Sequence, residues 1–216
     1  MNISPLLLLI VAVNAFFTYK GLSDRHFFEK YLFRVDAVKR GEYYRLITGS
    51  FLHGSWTHFF FNMLTLYFFF PVVESFTGTG GALLVYVAGM LAGNVLAYYL
   101  NRRKPWYAAV GASGAVNAVV FASILLYPKA SIIILPVPVP VPAWLYAIGY
   151  LIYTSFGMKN HTGNIGHEAH FGGAAAGLIT AALLAPREAL RHPALFLILL
   201  GVIIAGFFYA QKTQSP

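Results

Sequence analysis

Four polar side chains stand out in this sequence because each lies at or inside a long apolar stretch: His58, Asn62, Ser113 and His170. Polar groups cost free energy in such segments unless they are paired or hydrated, so they are candidates for function. A serine hydroxyl becomes a nucleophile when a neighbouring base takes its proton, and a neutral imidazole near pH 7 can act as that base. Amide, imidazole and backbone N–H groups are the donors that stabilise an oxyanion. These residue types together indicate acyl transfer.

Three of these residues also have plainer interpretations when each is taken alone. Ser113, which Gly111 and Gly114 flank, is the kind of small residue that lets two helices pack closely. His58 is also typical of a membrane interface, and Asn62 of a hydrogen bond between helices. The chemical interpretation therefore depends on whether the chain brings these residues together.

His170 is harder to explain by packing alone, because it lies in a segment rich in Gly and Ala, with Gly173 and Gly177 just below it. A neighbouring backbone comes close at such positions, and an ionisable residue there is a candidate for function. His167, one turn earlier, is expected at the membrane interface. Glu168 is two residues from His170 and faces roughly the opposite side of a helix, so it is a poor candidate for orienting the ring.

The composition indicates a membrane protein. Of the 216 residues, 58% are hydrophobic and only 10% are charged, whereas a soluble domain usually carries about 25% charged residues. The chain has no Cys, which excludes disulfides, thiolate metal sites and a cysteine nucleophile. The net charge is +8, and the basic residues lie in short segments between apolar runs, which favours membrane anchoring over nucleic-acid binding.

Apolar segments recur along the whole chain, and each is near the ~20 residues that a helix needs to cross a bilayer. They lie at about 3–19, 58–76, 80–100, 111–127, 142–158, 166–186 and 193–210. Continuous apolar runs without two-residue alternation predict helices rather than a barrel. The first run lacks a Lys/Arg-rich start, so we expect a retained helix rather than a signal peptide. The expected fold class is all-α, a polytopic membrane helix bundle.

The connections between these segments differ greatly in size. Residues 77–79 predict a tight turn, and residues 136–142, in which Pro and Val alternate, predict a stiff polyproline-like connector. Residues 20–57 are charged and aromatic, and they form a much longer connection. A loop of that length in a compact bundle is usually functional or has structure of its own, and we expect this one to lie at the membrane interface.

The order of the helices predicts that the four polar residues meet. If 3–19 is the first helix, the second, fourth and sixth helices begin on the same side of the membrane. His58 opens the second helix, and Asn62 lies one turn deeper on the same face. Ser113 begins the fourth helix, and His170 lies about one turn into the sixth. We expect no metal and no cofactor, because the histidines come without paired carboxylates or thiolates.

Three motifs carry a resemblance to a known family. They read His53-Gly-Ser-Trp-Thr-His58-Phe-Phe-Phe-Asn62, then Gly111-Ala-Ser113-Gly114, and then Ala169-His170-Phe-Gly-Gly173-Ala-Ala-Ala-Gly177. In this order, on the second, fourth and sixth helices, they resemble the motifs of the rhomboid intramembrane proteases. The resemblance covers about 1–186, a six-helix core with the long first loop 20–57, and leaves 187–216 as an additional transmembrane helix and tail.

The resemblance implies a serine endopeptidase with a Ser113–His170 dyad and no acidic third member. It implies that His58 and Asn62 support the oxyanion, and that the cleaved bond lies in or next to a transmembrane segment of a membrane-anchored substrate. Such substrates resemble helices that are locally unstable and have a small residue before the cut. Water must then reach the dyad through a polar cavity open to one side. The expected partners are transmembrane proteins and the lipid bilayer.

The sequence departs from the family pattern at three places. Tyr44-Arg45 stands where the family commonly has a Trp-Arg pair. Asn117 stands one turn below Ser113, where many members have an aromatic residue that packs on the catalytic histidine. We expect the Asn117 amide to hydrogen-bond the imidazole instead. The segment 193–210 adds a seventh helix, which we expect to pack facing lipid.

The charge distribution and the resemblance disagree on orientation. The side that holds the four polar residues also holds twelve of the fifteen Lys and Arg residues, seven of them in 20–57. The positive-inside rule would place that side in the cytoplasm, whereas the resemblance places it outside. Because the 20–57 loop is expected to be structured, we follow the resemblance. It implies a multi-pass protein of the cell membrane whose site opens to the extracytoplasmic side.

Two other functions are compatible with the composition. A catalytically inactive rhomboid-like protein would bind transmembrane helices as a chaperone or escort, but such proteins typically lack the Ser or the His. A small transporter or channel would need acidic or paired ionisable residues at the midplane. Glu74, near a helix end, is the nearest candidate for such a residue.

Overall fold

A computed structural model describes residues 4–134, 137–160 and 166–211 of the chain. The helices within these residues are α1 (Pro5–Ser23), α2 (Arg25–Tyr31), α3 (Val35–Lys39), α4 (Arg45–Thr48), α5 (Trp56–Asn101), α6 (Ser113–Leu126), α7 (Ala143–Asn160), α8 (His167–Leu184), α9 (Pro186–Ala189) and α10 (Pro193–Gln211). Short strands form two antiparallel pairs, β1 (Phe33–Arg34) with β2 (Ala108–Ala109) and β3 (Ser131–Ile134) with β4 (Val137–Pro142). The fold is therefore an all-α helix bundle with small strand pairs in its connections, as the apolar segments predict.

Helix α5 consists of two helices that meet at Gly78. The backbone there has φ 71° and ψ 171°, outside the helical region, so the chain turns between residues 56–77 and 79–101. A positive φ costs little only for glycine, which has no Cβ. The tight turn predicted at 77–79 is confirmed. Counted with these two halves, the long helices of the described residues match the predicted apolar segments one by one.

Helix α6 is the buried centre of the bundle. Every residue from Gly114 to Leu126 is buried, and α6 packs against both α5 and α8. It has 14 residues and is shorter than the predicted segment, because the chain reaches Ser113 through a turn with positive φ at Gly111. Among the described residues, α1, α5 and α10 are long and apolar enough to cross a membrane.

Glycines set the close packing of α5, α6 and α8. A Cβ atom on Gly93 of α5 would lie 2.6 Å from the carbonyl oxygen of Ala169 in α8. A Cβ on Gly173 of α8 would collide with the carbonyl of Gly114 in α6. The close backbone approach predicted around His170 is therefore confirmed, and it brings the N-terminal turns of α6 and α8 together.

The loop 20–57 is folded, as its length predicts. Phe33, Val35 and Val38 are buried in a small cluster with Ala97 of α5 and Ala169 of α8. The β1–β2 pair joins this loop to the connection between α5 and α6. The loop thus covers the end of the bundle at which α6 and α8 begin.

Arg45 fastens this loop from inside. Its side chain is only 8% exposed, and Nη1 donates to the carbonyl oxygens of Glu29 at 2.8 Å and Leu32 at 2.9 Å. Its Nε donates to the Glu42 carboxylate at 2.8 Å, and its guanidinium carbon lies 5.5 Å from the Tyr44 ring centre. The Tyr44-Arg45 pair therefore holds the folded loop together.

The prediction of a polyproline-like connector at 136–142 is wrong for the part that the structure describes. Val137–Pro142 pairs antiparallel with Ser131–Ile134, with Val141 opposite Ile132 and Pro140 opposite Ile133. Backbone N–H groups of alternate strand residues point to the same edge. Because Pro and Val alternate here, the valines can supply the ladder donors while the prolines lie on the unpaired edge. Residue 136 lies outside the described residues.

Helix α10 packs on α7 along one face. Its buried residues recur every three or four positions, at Leu199, Ile203, Gly206 and Ala210, and its other faces are largely exposed. A Cβ on Gly206 would collide with the hydroxyl of Ser155 in α7. The exposed faces are apolar, which suits the lipid contact expected for this helix.

Candidate active site

The structure brings Ser113 and His170 into hydrogen-bonding contact. Ser113 is the first residue of α6, and His170 lies one turn into α8. The distance from Ser113 Oγ to His170 Nε2 is 2.7 Å, and both residues are half-buried. A hydroxyl and an imidazole nitrogen at this distance can exchange a proton.

The glycine packing of α6 and α8 explains this short distance. Gly173 lies one turn below His170 and packs against the carbonyl of Gly114, the residue after Ser113. A Cβ on Gly114 would in turn lie 3.2 Å from the carbonyl oxygen of Ala169. The two helices therefore touch through their backbones beside the Ser113–His170 contact.

His58 and Asn62 enter the same site from the start of α5. Ser55 caps this helix, and its hydroxyl accepts the backbone N–H of His58 at 3.1 Å. The His58 ring lies over Gly111, where φ is +127° and a Cβ would lie 2.6 Å from the ring. Asn62 is buried, and its amide donates to the carbonyl oxygen of His58 at 2.9 Å.

These side chains line one cavity of about 820 Å³. Its walls include His58, Asn62, Gly111, Ser113, Asn117, Tyr150 and His170. Loop residues around Gly54 and Ala108–Val110 border it, so it lies at the end of the bundle where α5, α6 and α8 begin. All the candidate residues except the buried Gly114 therefore border a shared space.

The expectation that Asn117 hydrogen-bonds the imidazole is wrong. Its amide nitrogen donates to the carbonyl oxygen of Ser113 at 2.8 Å. The partner of His170 Nδ1 is the hydroxyl of Tyr150 on α7, at 3.0 Å. The Tyr150 and His170 rings are nearly parallel, with an interplanar angle of 21° and centroids 6.4 Å apart. An aromatic side chain thus meets the histidine, but from a different helix than in the family pattern.

Sequence reasoning missed Tyr150, although the sequence contains a signal for it. Tyr146, Tyr150 and Tyr153 recur at spacings of four and three, which places them on one face of α7. Tyrosines buried in a bundle usually find a partner for the hydroxyl. A tyrosine stripe on the fifth predicted span therefore indicated a polar partner near the site.

His53, the first residue of the first motif, holds the backbone beside the site. It is fully buried, its Nε2 accepts the backbone N–H of Ala112 at 3.4 Å, and its Nδ1 lies 2.9 Å from Thr18 Oγ1. Burial, together with the nearby His58, lowers the pKa of His53 to about 3. The ring is therefore neutral at pH 7 and holds the backbone directly before Ser113.

His167 and Glu168 occupy the first turn of α8, before His170, and their side chains have different surroundings. His167, expected at the membrane interface, is buried inside the bundle at 2% exposure, and its ring packs edge-on against Tyr153 at 5.2 Å. Glu168 faces away from His170, as predicted. Its carboxylate accepts from the Asn101 amide at 3.1 Å and from the Tyr107 hydroxyl at 3.3 Å, so it anchors the connection after α5.

The helix bundle and the contact between Ser113 and His170 place the chain in the class of polytopic helical membrane proteins with a candidate serine-hydrolase site. Residues 40–187 match the family model described as Rhomboid domain, so the chain belongs to the rhomboid family. Within the described residues, no group of three or more His, Cys, Asp or Glu side chains is arranged to hold a metal ion.

Individual relatives agree with this family. The chain is 30% identical over 189 residues to RHOMBOID-like protein 12, mitochondrial, of Arabidopsis thaliana, a match that covers 80% of this chain and 55% of that protein. It is 30% identical over 178 residues to Rhomboid protease GluP of Bacillus subtilis, covering 80% and 32%. It is 27% identical over 137 residues to Rhomboid protein 1, mitochondrial, of Saccharomyces cerevisiae, covering 62% and 40%. The chain thus matches between about a third and about half of each relative's length.

Proposed function

We propose that the protein is an intramembrane serine endopeptidase that uses Ser113 as nucleophile and His170 as general base. The observation that carries the proposal is the 2.7 Å contact between Ser113 Oγ and His170 Nε2, inside a bundle of apolar helices. Membership of a family that includes a relative named as a protease supports the same chemistry. No cofactor is needed for this reaction.

The chemistry balances with these two side chains and one water. Ser113 Oγ attacks the peptide carbonyl carbon as its proton passes to His170 Nε2. The tetrahedral intermediate collapses when His170 gives this proton to the leaving amine, which leaves an acyl-enzyme ester. Water then attacks the ester carbonyl as His170 takes its proton. The bond from the acyl carbon to Ser113 Oγ breaks, the carboxylic acid product leaves, and His170 returns the proton to Oγ. The cavity, with both side chains half-buried, supplies the route for water.

His58, Asn62 and the backbone N–H of Ser113 are the proposed donors for the oxyanion. The first N–H groups of a helix have no partner within that helix, and the helix dipole favours negative charge there. The Asn62 amide uses one hydrogen for the carbonyl of His58 and has a second one to offer. These residues border the cavity beside Ser113, as does Gly111, which leaves room for the His58 ring.

The proposed substrates are membrane proteins cut in or next to a transmembrane segment. A peptide carbonyl inside a regular helix is hydrogen-bonded and shielded by side chains, so a nucleophile reaches it only after local unwinding. Locally unstable substrate helices therefore suit this site, and the resemblance to the family adds a small residue before the cut.

We also propose that the protein is a multi-pass protein of the cell membrane whose cavity opens to the extracytoplasmic side. The excess of Lys and Arg near the cavity argues for the opposite orientation. Three of these cations are held within the folded loop, since Arg34 and Arg40 pair with Asp36 at 3.0 and 3.1 Å, and Arg45 with Glu42 at 2.8 Å. A folded segment of this kind is less bound by the positive-inside rule than a short flexible loop.

The test uses the full chain, purified in detergent and treated with a fluorophosphonate probe. We expect labelling at Ser113, no labelling of Ser113→Ala, and a loss of more than about 10³-fold in labelling rate for His170→Ala. Cleavage of a model transmembrane substrate should fall in parallel. Ser123→Ala is the matched control, because this buried serine of the same helix donates to the carbonyl of Val120 at 2.8 Å.

Continued substrate cleavage by Ser113→Ala would refute the proposed serine endopeptidase function. Specific binding of transmembrane helices by a protein that neither reacts with the probe nor cleaves would support the chaperone or escort function instead. The transporter alternative has little support, because the Glu74 carboxylate accepts from the Ser4 hydroxyl at 2.8 Å, near the N-terminus of α1.

A further inference from the structure

The second nitrogen of the His170 ring, Nδ1, points away from Ser113 and has a partner of its own. For Nε2 to accept the proton of Ser113, the neutral ring must carry its own proton on Nδ1. In serine hydrolases with a triad, an acceptor at Nδ1 fixes this tautomer and the ring orientation. Within the described residues, no carboxylate contacts His170, because Glu168 is bound to Asn101 and Tyr107. The group at Nδ1 is the Tyr150 hydroxyl, 3.0 Å away.

We propose that Tyr150 is a positioning residue for the reaction, and that its hydroxyl oxygen accepts the Nδ1–H of His170. This inference rests on the proposed function and assigns the orienting role to a neutral phenol from α7. The hydroxyl has two acceptor sites and one hydrogen, so it can accept from the ring and keep its own hydrogen. The bond selects the tautomer in which Nε2 is free to act as base.

The surroundings of Tyr150 hold its ring in place. Tyr146 stacks on it with centroids 5.6 Å apart and an interplanar angle of 23°, and Phe121 of α6 lies 6.0 Å away. Asn117, which lines the same cavity as Tyr150, donates its amide to the carbonyl oxygen of Ser113. These contacts fix the phenol before it meets the imidazole, which is the requirement for a group that orients another.

The same contacts give Asn117 a physical role. A large aromatic side chain at 117 would compete for the space beside Ser113 that Tyr150 approaches. Asn117 is small and buried, and its amide donates to the carbonyl oxygen of Ser113, so it leaves that space to Tyr150. Tyr150 therefore contacts α6 through the Phe121 ring and α8 through His170, beside the Ser113–His170 pair.

The experiment compares Tyr150→Phe with wild type in the full chain. Phe keeps the ring stack and removes only the hydroxyl. We measure the maximal inactivation rate constant and the half-saturating concentration for a fluorophosphonate probe, together with kcat and KM for a model transmembrane substrate. We expect the rate constant and kcat to fall about threefold to tenfold, the effect of losing one neutral hydrogen bond, with unchanged half-saturation and KM.

A matched control and a spectroscopic signature separate positioning from packing. Tyr153→Phe removes a hydroxyl one turn along the same helix, from a ring that packs on His167, and should leave both constants unchanged. Nitrogen NMR of protein labelled with ¹⁵N-histidine should show His170 protonated at Nδ1 in wild type and a mixture of tautomers in Tyr150→Phe.

The inference is overturned if Tyr150→Phe inactivates as fast as wild type, if Tyr153→Phe loses the same factor, or if only KM and half-saturation change. An unchanged Nδ1 tautomer in Tyr150→Phe would overturn it as well. Failure of the proposed function is a separate result, because wild type would then show no labelling at Ser113 at all.

Discussion

Asn62 and His58 reach the cavity from the first two turns of α5, where two hydrogen bonds hold them. The Ser55 cap fixes the start of the helix, and the hydrogen bond from Asn62 to the carbonyl of His58 fixes the amide. A donor held in place before the reaction pays no reorganisation cost when charge develops. This geometry favours a role in the transition state over a role in substrate binding.

Replacing Asn62 by Ala tests this role. Loss of one oxyanion donor typically costs ~3 kcal/mol of barrier, so kcat should fall by about 10²-fold or more with little change in KM. Steady-state cleavage of a transmembrane substrate in detergent measures both constants. Ser75→Ala, an exposed position in the same half of α5, is the control and should retain wild-type kcat. A rise in KM alone for Asn62→Ala would assign the amide to substrate binding.

Among the helices, the length of α6 decides how deep Ser113 lies. Its 14 residues rise about 21 Å at ~1.5 Å per residue, less than the ~30 Å thickness of the hydrocarbon layer. The chain enters this helix through the turn at Gly111, under the cover of the folded loop. We therefore expect Ser113 below the membrane surface, with water reaching it through the cavity.

The close backbone contact between α6 and α8 holds His170 beside Ser113, and Gly173→Ala tests it. The added methyl group would collide with the carbonyl of Gly114, so α8 must move away from α6 and take His170 from Ser113. We expect cleavage to fall by more than about 10²-fold and stability to fall by about 1–3 kcal/mol, the usual cost of overpacking. Cleavage rate and the thermal unfolding midpoint measure the two effects.

Gly201→Ala is the matched control for this substitution. Gly201 also lies inside a helix, α10, but no atom outside its own helix backbone lies within 4 Å of a Cβ built there. Alanine favours a helix by up to about 1 kcal/mol over glycine, so stability should be unchanged or slightly higher and activity unchanged. Wild-type cleavage by Gly173→Ala would show that the two helices tolerate separation and would contradict the packing account.

For the whole molecule, His53 joins three parts of the chain. It lies in the folded loop, contacts Thr18 on α1, and accepts from the backbone N–H of Ala112 directly before Ser113. Gly111 makes a parallel link, because its N–H donates to the carbonyl of Gly49 at 3.0 Å. The loop and the bundle therefore share hydrogen bonds at the site itself.

This link predicts how stability depends on pH. The pKa of His53 is lowered from 6.5 to about 3 in the folded protein, so protonation favours unfolding. The stability that the neutral ring contributes is present above pH ~6.5 and is lost as pH falls towards 3, by up to ~1.4 kcal/mol per pH unit. The unfolding midpoint in detergent, measured between about pH 7.5 and 4.5, should fall accordingly.

His53→Gln isolates the contribution of this ring. Glutamine can accept from Ala112 and donate towards Thr18 but takes up no proton, so its stability should change less steeply over the same pH range. His26→Gln, at an exposed position on α2, should keep the wild-type slope. An equal slope for His53→Gln and wild type would show that other groups govern acid unfolding.

The sequence alone determined the class of fold, the order of the spans and the pairing of Ser113 with His170 as candidates. Apolar run lengths report what a bilayer requires, and the parity of the helices places the starts of the second, fourth and sixth on one side. The Gly-x-x-x-Gly spacing at Gly173 and Gly177 also indicated close packing, because small residues permit backbone contact whatever their partner. These properties depend on local composition and on counting along the chain.

Only the tertiary structure decided which side chains meet across the site. Tyr150 contacts His170 from α7, Asn117 donates to the Ser113 carbonyl, and His53 holds Ala112 from a loop 59 residues away in sequence. Such contacts depend on the rotation of each helix about its axis and on how the loop packs, and close packing among many residues sets both. A linear pattern does not contain that information, so the meeting of Ser113 and His170 was predictable, whereas the residues that hold them in place were not.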